Sequence, residues 1–151
     1  MSYKRILVPV DGSATSMAGL STAIALGKRG GAKLTLLHVV DIAAILSMPE
    51  AGVSIDIVID ELNASGRQTL ADAEKAAKSA RVACSSVLIE SAGMRVADQI
   101  NAQAKKSRAD LIVMGTHGRR GVNRVVMGSD AELVVRDSQV PVLLVRGQGT
   151  G

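Results

Sequence analysis

The sequence predicts an α/β fold: an open, doubly wound, five-stranded parallel sheet with helices on both faces. Three observations lead there. Five short apolar runs recur along the chain, Ile6 to Val10, Leu34 to Val40, Val87 to Ile89, Leu111 to Met114 and Val142 to Val145. They are nearly continuous rather than alternating, as in strands covered on both faces. Segments of helical spacing lie between them, and regular alternation of strand and helix builds parallel sheets through crossover helices. Finally, the fourth run ends in a glycine-rich stretch, Gly115-Thr116-His117-Gly118, nine residues, then Gly128-Ser129, which opens a helix.

Each element follows from its own residues. The first strand ends at Asp11-Gly12-Ser13, a turn into a helix. That helix is expected over Ser16 to Lys28, where Leu20, Ile24 and Gly27 share one face, and Gly30-Gly31 stops it. After the second strand, Ile42 to Ser54 is a long connection, apolar for a loop through Ile42, Ile45, Leu46, Met48 and Val53. It reads as a lid, a partner-facing surface or the frayed start of the next helix. That helix is expected over Ile55 to Ala80, with Ile55, Val58, Ile59, Leu62, Leu70, Ala73 and Ala77 in register. Arg95 to Lys106 carries Val96, Ile100 and Ala104. Ser129 to Arg136 is the last helix, and Ser129 with Glu132 spells a Ser-x-x-Glu capping box. The expected strand order is 3-2-1-4-5. It places the topological switch between strands one and four, and ligands bind beyond the strand C-termini at such a point. The residues there are Pro9, Val10 and Asp11 on one side and Met114, Gly115 and Thr116 on the other, so Asp11 and the glycine loop meet at one crevice.

Composition narrows the class. A chain of 151 residues with 47% hydrophobic residues forms one domain with a sizeable core, expected over residues 1–146, with 147–151 as a disordered tail. Tyr3 is the only aromatic residue, so the core is aliphatic and the stacking surfaces of single-stranded nucleic-acid binders are missing. A net charge of +4 with scattered basic residues favours anionic ligands weakly and does not imply DNA binding. The lone Cys84 excludes an internal disulfide and suits a small buried side chain in a reducing cytoplasm. No leader and no apolar stretch of membrane-spanning length is visible, so a cytoplasmic location without membrane partners is expected.

Several chemistries are excluded by their motifs. There is no G-x-x-x-x-G-K-[S/T] run and no G-x-S-x-G elbow. Gly147-Gln148-Gly149 opens no helix, and His38 and His117 with one cysteine make no zinc cluster. What remains is the strand, glycine loop and helix start. Glycines let a backbone approach an anion, and the unpaired N–H groups of a helix N-terminus point at it. Gly115, Gly118 and Gly128 are the candidate approach points, with Arg119 and Arg120 able to neutralise phosphate or simply to form a solvated basic loop. Gly121 relaxes the loop. His117 reads as an exposed loop residue.

The Gly-x-x-Gly-(nine)-Gly-Ser loop resembles the ATP-binding signature of the universal stress protein family. The resemblance spans nearly the whole chain in four ordered blocks: Lys4 to Ser13, Leu37 to Asp41, Ala109 to Gly115 and Val140 to Arg146. It implies the same strand order and an ATP site. On the matching positions, Asp11 would hold the nucleotide at the ribose side, Val39 would line the adenine, and Ser129 would bond the phosphates. It also implies a homodimer through the last strand, Pro141 to Arg146, which would otherwise be an exposed sheet edge. Asp130 departs from the neutral residue that many ATP-binding relatives carry there. Its carboxylate either turns outward to solvent, which is the expectation, or shares a magnesium ion with the phosphates. The leading function is an ATP-binding regulatory or stress-response module with no catalytic residue assigned. The alternatives are a slow ATPase or a nucleotidyl- or phosphoryl-transfer enzyme using the same crevice, and a nucleotide-free interaction module.

Overall fold

The computed structural model describes residues 2–47, 54–116 and 127–147. Five strands, β1 (Arg5–Pro9), β2 (Lys33–Asp41), β3 (Cys84–Ser91), β4 (Leu111–Gly115) and β5 (Val142–Val145), form one sheet in the order β3-β2-β1-β4-β5. All of its pairings are parallel, as expected. The helices are α1 (Ala14–Gly30), α2 (Ala43–Leu46), α3 (Ile55–Ser79), α4 (Val96–Lys106) and α5 (Ser129–Asp137).

The continuous apolar runs divide between two layers. Ile6, Val8, Leu34, Leu36, Leu111 and Val113 pack with Leu20, Ala23, Leu70, Ala73 and Ala77 of α1 and α3. Their strand neighbours Leu7, Leu37, Ile112 and Met114 pack on the other face with Ile100, Ala104, Ala131 and Val134 of α4 and α5. Strand side chains alternate between faces, so runs apolar at every position fill both layers. Ile6, Leu7, Leu34, Leu36, Leu37 and Ile112 are essentially inaccessible, and burying each stabilises the fold by about 2 kcal/mol.

The ends of the elements explain where the observed bounds differ from the expected ones. α1 starts at Ala14 because the Ser13 hydroxyl accepts from Ser16 N–H at 3.2 Å. It runs to Gly30, and Gly31, at φ 68°, supplies the left-handed cap. β3 is longer than Val87 to Ile89. It is an edge strand with most residues only partly covered, so its polar Ser85 and Ser86 mask the apolar signal. α2 occupies part of the Ile42 to Ser54 connection. It buries none of its four residues, so no periodicity announces it. The capping box at Ser129 is not formed. Gly128 is the extended N-cap, with φ −61° and ψ 153°, and its carbonyl accepts from Glu132 N–H at 3.0 Å. Ser129 is therefore already helical, and a side chain inside the first turn cannot act as the N-cap.

Candidate nucleotide site

α1 and α3 cover one face and α4 and α5 the other, so the crossover changes sides between β1 and β4. The crevice beyond their C-termini is the switch point. Pro9 and Val10 lead into it from β1, and Val10 is 3% exposed. Asp11 follows at a turn: its Oδ1 accepts from Ser13 N–H at 2.8 Å, and its own N–H donates to the Ser16 hydroxyl at 3.3 Å. Gly12 sits at φ 84°, a conformation that favours glycine. The Asp11-Gly12-Ser13 turn into α1 thus forms as the sequence predicts.

On the other side, β4 ends in Met114 and Gly115, both buried, followed by Thr116. Gly115 has a packing reason that the sequence did not reveal. A Cβ there would lie 2.7 Å from the carbonyl carbon of Thr15 and 2.9 Å from Ser16 N, so glycine is what lets the start of α1 approach β4. Thr116 N–H donates to Val145 O at 3.1 Å, and Gly128 N–H donates to Thr116 O at 2.6 Å. These bonds pin both ends of the glycine loop and set the N-terminus of α5 beside the end of β4. Thr116 Oγ1 is buried and has no hydrogen-bond partner among the described residues, an orphan that a ligand oxygen can satisfy. Gly118, Arg119, Arg120, His117 and Gly121 lie outside the described residues.

Ser129 and Asp130 form the exposed first turn of α5. Two acidic residues in that turn, Asp130 and Glu132, suit the helix dipole. Partial burial of the Asp130 carboxyl pushes its pKa up, and the negative charges of Asp41 and Asp11 push it further. The residue is exposed, and the neighbouring carboxylates still act on its charge. Asp41, at the end of β2, received no role from the sequence. Its carboxylate accepts from the N–H of Ala43, the first residue of α2, at 3.2 Å. The three carboxylates come from three distant stretches of chain, and only the fold brings them together. No group of His, Cys, Asp or Glu among the described residues has the arrangement of a metal site.

Val39 sits half-buried near the end of β2, at the margin of the α4/α5 layer and paired in register with Ile89. Its surroundings are aliphatic, as the composition requires. His38, to which the sequence assigns no role beyond the excluded zinc cluster, lies with its Nδ1 2.8 Å from the Val10 carbonyl oxygen. A separate hollow of about 400 Å³ lies at the opposite end of the sheet, lined by Gly27, Lys28, Arg81 and Val82 where α1 and α3 end. Helix C-termini present carbonyls there, which disfavours an anion.

Replacing Asp130 with Asn is expected to strengthen binding of a polyphosphate by about 1 kcal/mol, the size of a partly screened like-charge contact. The sign of the binding change follows from removing a negative charge beside the phosphates; a separate effect on stability follows from the raised pKa. The folded state holds the Asp130 proton more tightly than the unfolded chain does, so stability falls as pH rises through its titration. Asn removes that loss, and its advantage narrows as pH drops into the carboxylate range. Calorimetry on both proteins, with magnesium and with chelator, checks this. Weaker binding by the Asn variant only when magnesium is present would make Asp130 a metal ligand instead.

Comparison with known proteins agrees with this architecture. Residues 2–146 match the universal stress protein family. The chain is 34% identical over 144 residues to universal stress protein MJ0531 of Methanocaldococcus jannaschii, covering 95% of this chain and 82% of that one. Among solved structures it resembles hypothetical protein MJ0577, at a TM-score of 0.84 and 25% identity, over 99% of this chain and 100% of that one. It also shares its fold with the universal stress protein of Archaeoglobus fulgidus solved in complex with dAMP, at a TM-score of 0.70 and 22% identity, over 96% and 99% of the two chains. Family match, relatives and strand order agree, and the chain belongs to the universal stress protein family.

Proposed function

We propose that this protein binds ATP at the β1/β4 crevice and acts as a regulatory module in stress responses rather than as an enzyme. The observation that carries the reading is the pinned loop. Gly128 N–H donates to Thr116 O, which sets the start of α5 at the end of β4. Free N–H groups of that first turn, the Thr116 hydroxyl and the Ser129 side chain would take the phosphates. Gly118, Arg119 and Arg120 would approach from the loop. Asp11 would hold the ribose, and Val39, Pro9, Val10 and Met114 would line the base and sugar. The dAMP complex of the Archaeoglobus fulgidus relative supports an adenine nucleotide. Denaturing the purified protein and identifying released small molecules by mass spectrometry tests this; an adenine nucleotide is the expected product.

We also propose a homodimer through β5. It is an edge strand, and Leu143 on it is 38% exposed. An unpaired apolar edge is a template for a second copy. Light scattering at tens of micromolar should give twice the chain mass, and Leu143→Glu should give a folded monomer. Leu144 is unsuitable for this test because it packs against the α4/α5 layer. A wild-type monomer at that concentration contradicts the proposal. No helix among the described residues is long and apolar enough to cross a membrane. We place the module in the cytoplasm.

A further inference from the structure

The hydrogen-bond ladder between β1 and β2 stops one rung early, where a side chain meets the last carbonyl. β2 sends alternate N–H groups to its two neighbours. Lys33 N–H donates to Lys4 O on the β1 side at 2.9 Å, whereas Leu34 N–H donates to Ala83 O on the β3 side at 2.9 Å. By that period of two, Val39 N–H is directed to the β1 side. The β1 side of the ladder reaches Val10, whose N–H donates to Leu37 O at 2.8 Å. The next rung of a parallel ladder would run from Val39 N–H to Val10 O. Among the described residues that rung is not made. The Val10 carbonyl instead receives the His38 ring at 2.8 Å. A carbonyl only accepts, so Nδ1 is the protonated nitrogen of this contact.

The ring is held in place for this. His38 lies on the face of β2 that carries Leu34 and Leu36 toward α1 and α3, and α3 meets it at Gly66. A Cβ at residue 66 would come within 2.6 Å of His38 Cδ2 and 2.9 Å of Leu88 Cδ1. The glycine therefore makes room for an imidazole that reaches back to β1. Farther along the crevice, the Asp11 N–H bond to the Ser16 hydroxyl turns the chain out of the strand direction.

We propose that His38 is a positioning residue of the nucleotide site. Its imidazole takes the Val10 carbonyl out of the ladder, fixes the Val10–Asp11 backbone, and leaves the Val39 N–H as a donor for a ring nitrogen of the bound base. The proposal rests on the reading of the crevice as an ATP site. It assigns His38 a role through Val10 and Val39 and no contact with the ligand.

Two substitutions separate the donor from the bulk. His38→Asn retains an N–H close to the position of Nδ1, and His38→Leu retains an apolar side chain without a donor. Amide hydrogen exchange by NMR on the ligand-free protein and calorimetry with ATP are the readouts. In the wild type the Val39 amide should exchange as an unpaired group. In His38→Leu the rung to Val10 should close and slow Val39 exchange, and ATP affinity should fall about tenfold, the scale of one lost hydrogen bond of positioning. His38→Asn should stay near wild type in both. A protected Val39 amide in the wild-type protein would overturn the proposal without recourse to any variant. So would a folded His38→Leu protein with wild-type ATP affinity, or equal losses in the Asn and Leu variants. A wild-type protein that takes no ATP would sink the nucleotide reading alone, and Val39 exchange would still decide the role of His38 in ending the ladder.

Discussion

Gly115→Val is expected to destabilise the protein by about 3 kcal/mol, roughly 10 °C in melting temperature for a chain of this length. A Cβ at this position would meet Thr15 C at 2.7 Å, Thr15 O at 2.8 Å and Ser16 N at 2.9 Å, all backbone atoms. No rotamer change relieves a clash with backbone, so α1 must move off β4. One turn further along, Gly19 makes the same kind of approach, since its Cβ would stand 3.2 Å from Gly115 N and from Met114 C. The two glycines together set the distance between helix and strand, and enlarging one forces a shift along the whole contact. Overpacking usually costs about 1–3 kcal/mol, and a contact that only backbone movement can relieve belongs at the upper end. Thermal unfolding followed by circular dichroism measures it. An unchanged midpoint would mean that α1 is free to retreat, against the packing described here.

Gly128→Val should do the opposite: abolish ATP binding and leave the fold intact. The backbone at Gly128, φ −61° and ψ 153°, is open to any residue and is favourable for a β-branched one. Stability should fall by about 1 kcal/mol, since valine is a poorer N-cap than glycine. Its N–H closes the loop onto Thr116 O, and its position as N-cap of α5 places it where phosphate would meet the helix start. A valine side chain there would occupy the approach, and affinity should fall about 100-fold or more, roughly 2.8 kcal/mol. Calorimetry and thermal unfolding on the same sample separate the two effects. Retained binding in a folded Gly128→Val protein would remove Gly128 from the site.

The contrast between these two glycines shows how much was legible in the sequence. The loop spacing marked both as approach points for an anion. Spacing cannot distinguish a glycine that admits a ligand from one that admits a neighbouring helix, because the second depends on where α1 lands. The fold itself was readable, because Ile6, Leu7 and Val8, or Leu34, Leu36 and Leu37, are apolar on both faces and so demand two covering layers. Elements with little buried surface were harder to read. β3 carries serines along a half-covered edge, and α2 buries nothing. The capping box failed for a local reason: Ser-x-x-Glu fits a helix starting one residue later than this one does. The turn at Asp11 and the end of β4 at Gly115 were legible, because turns and glycines announce themselves. Asp41 and His38 were not, since the role of each depends on a contact that only the sheet creates. The charge of Asp41 reaches Asp130 only through the fold, and His38 reaches Val10 across a strand pair.

The most direct test of the central claim is a calorimetric titration of the wild-type protein with ATP, with GTP as the control. Saturable binding of ATP, with GTP weaker, is the result this account predicts, since on the proposed reading the crevice would offer backbone groups and aliphatic side chains to the base and a helix N-terminus to the phosphates. Absence of ATP binding at millimolar ligand would contradict it.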